Sequence, residues 1–502
     1  MGELTERPRS KWSQVIDSAG FRASSCWLFV YLVVLFSGHQ FDSGYLEYGW
    51  QLIPWETLST DPFRSVWYLH IQPPMWNFLL GVSAWLSPVS DGLTLQLVML
   101  AFGLSAVWMG TNIARRFGLS RRLSIVVTLV VFLNPEVFRG VFEPTYEFPV
   151  GCLLMGLVLG VAKFRERVEP MKWFLVCSIL ITTVVMTRSL YHPAWAITTL
   201  VVLVLPLRKT VSMRSLLLAL SIPLLVAGGW MIKNQVLFGQ TTLSSWFGMN
   251  LQRAVLPVVP RADLLEMVES GDISPFAVEQ PFAPYSTYAK YVDGCVPTRS
   301  HPSLSEPTRS SEDVIPNFNF ECYLPVYEEA LDNALTAIRK HPSDWIEGRI
   351  WSLRATMAIS TAPQFSESAI MRGLNDGYSV LGLNVTGALS TSSWGTQLYG
   401  PNTTSIRIQF GYSYAALYVF VLGVGGALMK KKIRSRVGEP AALVLLVSSI
   451  AWYTIVVGAF GELGEQARFR TTIDPLVILV SVSLLVRMVA GRNHSHATSV
   501  AR

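Results

Sequence analysis

Charge is what this chain has least of. Asp, Glu, Lys and Arg make up only 15% of its 502 residues, against roughly 25% in a typical soluble domain. That shortage excludes a soluble enzyme and a disordered tail. Cysteine is also scarce, at five residues, which excludes a secreted disulfide scaffold. Cys26, Cys152 and Cys177 fall in apolar segments, where a thiol behaves as a small hydrophobe. Cys295 and Cys322 share the one long polar stretch, and they are candidates for a disulfide if that stretch faces an oxidising compartment. No spacing of His and Cys suggests a zinc or iron–sulfur site, so no metal is expected. There is no internal repeat and no low-complexity tract.

What the chain has instead is apolar residues, at 51%, and a mean hydropathy of +0.38. They come in runs of the length a bilayer requires, about 20 residues. Ten such runs lie near 25–41, 93–114, 122–138, 146–164, 172–188, 191–207, 213–232, 409–429, 440–461 and 473–490. A further apolar segment, 74–88, is too short to cross and reads as an interfacial helix. The net charge of +6 and the pI near 9.0 would fit a nucleic-acid binder. The bases, however, sit in clusters between the runs, at Arg115–Arg122, Lys163–Lys172 and Lys430–Arg436 among others. With the N-terminus inside, ten spans put 23 of the 40 Lys and Arg on the inner face, as the positive-inside rule demands. The basic pI therefore reports topology, and no nucleic-acid partner is expected.

The expected fold is an all-α polytopic membrane protein of about ten transmembrane helices with both termini inside. Residues 1–24 form a cytosolic N-terminus. Residues 25–232 hold helices one to seven, and the first outer loop is 42–92. A large mixed outer region spans 233–408, the last three helices 409–490, and a cytosolic tail 491–502. The first run ends without a small-x-small cleavage site and reads as a retained span. Asn384 and Asn402 open glycosylation triplets on the outer side. Segment 341–360 mixes apolar and basic residues and fits either a helix lying on the membrane or an ordinary soluble one.

Chemistry-bearing residues collect on the outer face. Asp42 directly follows the first span, where partial desolvation raises a carboxylate's proton affinity and suits it to act as a base. His70, Gln72, Pro73 and Pro74 precede the interfacial helix. The next outer loop carries Glu136, Arg139, Glu143, Tyr146 and Glu147. Later ones carry Arg188 with His192, Lys233 with Asn234, and Glu462, Glu465, Arg468, Arg470 and Asp474. Cations at membrane depth are costly and are commonly kept to pair or to bind anions. Two readings of Asp42 and His70 stay open at this point: a functional pair, or polar residues at the end of a span.

In order and topology these residues resemble the GT-C superfamily of integral-membrane glycosyltransferases, notably the bacterial relatives of protein O-mannosyltransferases and aminoarabinose transferases. The similar features are an acid just after the first span (Asp42), His70-x-Gln72-Pro73-Pro74 before the interfacial helix, and Trp230, Lys233, Asn234, Phe238 and Gly239 at the end of the seventh run. Arg468-Phe469-Arg470 with Pro475 completes the pattern. Where many relatives carry Asp-Glu, this chain has Asp42-Ser43, and no Asp-x-Asp pair stands in the early outer loops. Most of 254–400 has no counterpart in the pattern.

The resemblance implies transfer of a sugar from a polyprenyl-phosphate donor to a protein, lipid or glycan acceptor, with no cofactor beyond that donor. It implies Asp42 as general base, with Glu47 or Glu143 in second place. The donor phosphate would be held by Arg188, His192, Lys233, Arg468 and Arg470, and substrate by His70, Gln72, Tyr146 and Asn234. The membrane would be the plasma membrane of a bacterium or else the endoplasmic reticulum. The alternatives are an O-antigen-ligase-like or other lipid-modifying transferase, and a membrane transporter.

Overall fold

The computed structural model describes residues 18–500 apart from 50, 88–91, 168, 205–211, 280–282, 310–314, 358–367, 381–388, 393–405, 410–411, 439, 462 and 464–465. Glu462, Glu465 and the two glycosylation triplets' asparagines lie outside the described residues. A helix stands at each of the ten expected positions. Six of the described helices are long and apolar enough to cross a membrane on their own: α1 (Ala19–Phe36), α3 (Leu93–Arg116), α5 (Glu147–Arg165), α6 (Pro170–Thr187), α8 (Met213–Phe238) and α14 (Pro440–Gly461). The chain is a polytopic helical membrane protein. The apolar helices α7 (Pro193–Val204) and α13 (Tyr412–Leu428) are shorter, and α16 (Asp474–Val500) closes the chain.

One expected span is broken. The run at 122–138 forms α4 (Arg121–Phe132) and then turns by 71° into a short helical segment at Pro135–Val141. The cause is local. Asn134 caps the second piece, its Oδ1 accepting from Glu136 N at 3.1 Å, and Pro135 occupies the first helical turn. An Asn cap followed by proline starts a new helix and cannot continue an old one. The break places Glu136, Arg139 and Glu143 in close succession beyond the end of α4. A second boundary also differs: α8 runs past residue 232 to Phe238, so Lys233 and Asn234 are helical. Gly239, at φ +74°, ends it in the left-handed region that glycine adopts without strain.

The interior face of α1 is a stripe of Ala23, Trp27, Tyr31 and Val34, all buried at helical spacing. Trp27 Nε1 donates to the Phe132 carbonyl at 3.0 Å, tying α1 to the end of α4. The interfacial segment is α2 (Met75–Leu86), 12 residues, which spans roughly 18 Å and falls well short of a bilayer core of about 30 Å.

In the outer region α9 (Phe247–Val255) packs on α10 (Leu324–Lys340), and α11 (Pro342–Thr356) lies against α14 and α15 (Gln466–Thr471). α11 exposes Ile346, Ile350 and Leu353 along one side. α12 (Ala369–Val380) and a two-stranded antiparallel ribbon follow, β1 (Leu389–Ser392) with β2 (Ile406–Gln409), in register Leu389↔Gln409. That ribbon is the departure from an all-α chain. Cys295 and Cys322 are joined by a disulfide.

Gly248 sets how closely α9 approaches α10: a Cβ there would overlap the Tyr327 carbonyl oxygen. Gly248→Ala is therefore expected to cost about 1–3 kcal/mol. A lower thermal unfolding midpoint of the purified protein is the readout, and an unchanged midpoint would show that the helices part without loss.

Candidate active site

Three chain segments meet at the first residue of α5. The Glu147 carboxylate accepts from Arg468 Nε at 2.6 Å and lies 3.6 Å from Arg188 Nη2. Arg188 follows the last residue of α6 with an extended backbone, and its Nη1 donates to Thr472 Oγ1 at 2.6 Å. Tyr146 joins the group. Its hydroxyl accepts from Arg468 Nη2 at 2.8 Å, and its ring faces the Arg188 guanidinium at 5.1 Å. Phe469 covers Arg188 at 4.6 Å. The Glu147 carboxylate thus stands between two guanidiniums. Arg188 Nη2 is buried and makes no hydrogen bond among the described residues.

Two lobes open on either side of this group, and both are walled by Tyr45 and Arg468. The smaller, about 1040 Å³, is lined by Asp42, Glu136, Arg139, Glu143, Glu147, Thr471 and Phe148. The larger, about 1600 Å³, is lined by Arg188, His192, Tyr146, Arg253, Trp246, Asn250 and the 241–244 strand of chain. Carboxylates dominate one lobe and cations the other.

The four carboxylates of the small lobe are not equivalent. Glu143 pairs with Arg139 at 2.5 Å, Glu147 with Arg468 at 2.6 Å, and Glu136 with Arg470 at 3.3 Å. Asp42 alone has no cation within ion-pair distance among the described residues. Its Oδ1 accepts from Gly44 N at 3.0 Å, closing a tight turn, and its own N–H donates to the Phe142 carbonyl at 2.8 Å. Burial holds the Glu143 carboxyl above its ordinary value. Arg139 offsets part of that, and the charges of Asp42 and Glu147 add to it. Asp42 and Glu143 are therefore close enough to feel one another.

Several of the expected residues lie away from the lobes or make other contacts. Glu47 is exposed, on a short helix (Tyr45–Tyr48), and lines neither lobe. Lys233 is buried; its Nζ donates to the Leu69 carbonyl at 2.8 Å and sits 3.8 Å from the Trp230 ring centroid, tying α8 to the first outer loop. Arg470 is fully buried. It pairs with Asp474 at 2.6 Å, donates to the Thr356 carbonyl at 3.0 Å and stacks over Tyr414 at 4.0 Å. Asn234 Nδ2 donates to the Thr242 carbonyl at 2.7 Å, and Gln72 Nε2 to the Gln51 carbonyl. His192 remains at the larger lobe, where its Nδ1 accepts from Ala194 N at 3.2 Å. No group of three or more His, Cys, Asp or Glu placed to hold a metal occurs among the described residues.

His70 is also away from both lobes. Its Nε2–H donates to the Asn319 carbonyl at 3.0 Å, a partner that can only accept, so Nδ1 carries no proton and accepts from the Ser245 hydroxyl at 2.7 Å. It docks the outer region onto the first loop. Arg253 and Tyr45 are site residues that the sequence patterns did not single out. Arg253 lies in α9, 14 residues beyond Gly239, outside the residue pattern that ends there.

No family model matches the chain, and no curated protein matches it in sequence. Among solved structures, the crystal structure of ArnT from Cupriavidus metallidurans in the apo state is similar over 93% of this chain and 78% of that chain, with 13% identity and a TM-score of 0.32.

Burial lowers the His70 pKa to about 3 from its ordinary 6.5, with Lys233 nearby adding to the shift. Above 6.5 the ring is neutral both folded and unfolded. As pH falls below that, the unfolded chain takes up a proton that the folded one refuses. Stability is thus present above about pH 6.5 and lost on acidification, by roughly 1.4 kcal/mol per pH unit. Denaturant titrations between about pH 7 and pH 5 check this: His70→Asn should flatten the slope, and an equal slope in the variant would contradict it.

Proposed function

We propose that the protein is a membrane glycosyltransferase that moves a sugar from a polyprenyl-phosphate donor to an acceptor hydroxyl on the outer face. The observation that carries the reading is the asymmetry of the site. One lobe holds Asp42, a carboxylate without a cationic partner among the described residues, and the adjoining lobe is lined by three arginines, with Tyr45 and Arg468 common to both. The motif resemblance supports the same reading.

In the transfer, the acceptor oxygen attacks the anomeric carbon while Asp42 takes the hydroxyl proton. The new C–O bond forms as the bond from that carbon to the phosphate oxygen breaks, and the lipid phosphate departs with the electron pair. A sugar phosphodiester carries one negative charge and the released monoester carries up to two. Cations that meet this growing charge stabilise the transition state more than the ground state. Arg188 and Arg468 are suited to that, because both line the larger lobe and a guanidinium presents paired donors to phosphate oxygens. Arg253 and His192 extend the same wall. Asp42 suits the base's part because an ion-paired carboxylate, such as Glu143 or Glu147, must give up its partner to accept a proton. A single displacement of this kind inverts the anomeric centre.

The test is turnover of purified protein with a panel of polyprenyl-phosphate sugars, wild type against Asp42→Asn. Loss of a general base is expected to lower kcat by about 10²–10⁴-fold with donor KM little changed. Equal kcat in the two proteins would remove Asp42 as base, and no turnover with any donor would count against the activity itself.

A further inference from the structure

The chain between Cys295 and Cys322 is where the outer region grips the first outer loop, and the transfer chemistry makes no use of it. Their Cα atoms are 5.9 Å apart. Within the loop they close, Arg309 Nη2 donates to the Leu46 carbonyl at 2.8 Å. Asn319 makes three bonds to residues 68–70: Nδ2 donates to the Tyr68 carbonyl at 3.2 Å, Oδ1 accepts from His70 N at 2.9 Å, and its carbonyl accepts from His70 Nε2 at 3.0 Å. Asn317 Nδ2 donates to the Glu306 and Ser303 carbonyls at 2.8 and 3.3 Å, holding the two arms of the loop together. At the base, beside the disulfide, Glu321 pairs with Arg299 at 2.6 Å, and Arg299 Nη2 donates to the Leu237 carbonyl near the end of α8 at 3.0 Å.

These bonds bear on Asp42. Leu46 follows Tyr45, whose side chain lines both lobes, and Leu46 N donates to the Ser43 carbonyl at 2.9 Å in the same turn that Asp42 opens. The turn is held on one side by Phe142, through the Asp42 N–H, and on the other by Arg309. Arg309 is an expensive choice for that task. It is buried, and its Nε and Nη1 make no hydrogen bond among the described residues, an arrangement that costs stability. A guanidinium kept there for its one bond to the Asp42 turn suits a positioning role better than a merely structural one.

The geometry points to a clamp: the Cys295–Cys322 disulfide closes a loop that positions the Asp42 turn, with Arg309 as the positioning residue. Transfer then depends on the redox state of a bond that lines neither lobe. The inference rests on the reading of Asp42 as the base. Cys295 is exposed and Cys322 buried, so a dithiol reaches Cys295 first. Its thiolate attacks Cys295 Sγ, and the S–S bond breaks with Cys322 leaving as a thiolate that takes a proton from water. The reagent's second thiol resolves the mixed disulfide, leaving Cys295 reduced and the reagent as its cyclic disulfide.

The experiment uses the full chain in lipid nanodiscs, oxidised or treated with dithiothreitol, beside Arg309→Gln and Arg309→Lys. Amide hydrogen exchange at residues 42–49 is read together with kcat and donor KM. Reduction and Arg309→Gln are each expected to speed exchange at 42–49 about tenfold. Each should lower kcat by up to roughly 10²-fold, as small misplacements of a reacting group do, with donor KM nearly constant because Arg188 and Arg468 are not on the clamped loop. Arg309→Lys keeps a donor for Leu46 and is expected to recover most of the lost kcat. Exchange at 42–49 that is indifferent to reduction and to Arg309→Gln overturns the clamp, whatever turnover does. A wild type that transfers no sugar removes the activity instead, and exchange then decides the clamp on its own.

Discussion

The sharing of Glu147 between Arg188 and Arg468 is the constraint around which the outer half of the molecule is arranged. It joins the first residue of α5, the residue after α6 and the short helix α15, three segments that approach from different parts of the bundle. Burying a carboxylate with two guanidiniums is expensive, and their mutual pairing offsets part of that cost. The cluster stands where the two lobes meet, and on the proposed reading the lipid phosphate, whose charge grows as its sugar leaves, binds against it.

Several other cations in the same part of the chain hold the fold. Lys233 is taken by the Leu69 carbonyl, and Arg470 by Asp474, Glu136 and the Thr356 carbonyl. Arg349 donates to the Ala459 carbonyl at 2.5 Å and to the Ala254 carbonyl, joining the end of α14 to the end of α9. Helix ends leave carbonyls without intrahelical partners, and long cationic side chains satisfy them across the interface. Some guanidiniums here bind carbonyls and carboxylates within the fold, and others line a lobe. Among the described residues Glu136, Glu143 and Glu147 of the small lobe are ion-paired and Asp42 is not.

How much of this was legible in sequence follows from what each signal measures. Apolar runs report segments that must leave water, so the helices stand where the runs are. The break at Asn134-Pro135 was hidden because the residues on both sides are apolar, although the cap and the proline are visible once the run is questioned. Motif order brought out Asp42, Arg188, His192, Arg468, Tyr146 and Glu143, all of which line a lobe. It also brought out His70, Gln72, Lys233, Asn234 and Arg470, which do not. A motif fixes residue type and rough depth. Which oxygen a donor satisfies depends on the three-dimensional neighbours, which for His70 include Asn319, 249 positions away. Arg253 was invisible for the same reason, being brought to the lobe by α9 packing on α10.

The claim on which the rest turns is that Arg188 and Arg468 form the phosphate site while Lys233 does not. Its most direct measurement is the binding of a short-chain polyprenyl monophosphate to purified wild type, the Arg188→Ala and Arg468→Ala variants and Lys233→Gln, without turnover. Loss of a charge-assisted contact is expected to weaken binding by about 10–100-fold in each arginine variant, with Lys233→Gln close to wild type once folded protein is counted. Equal weakening in Lys233→Gln, or undiminished binding in the arginine variants, would contradict the account.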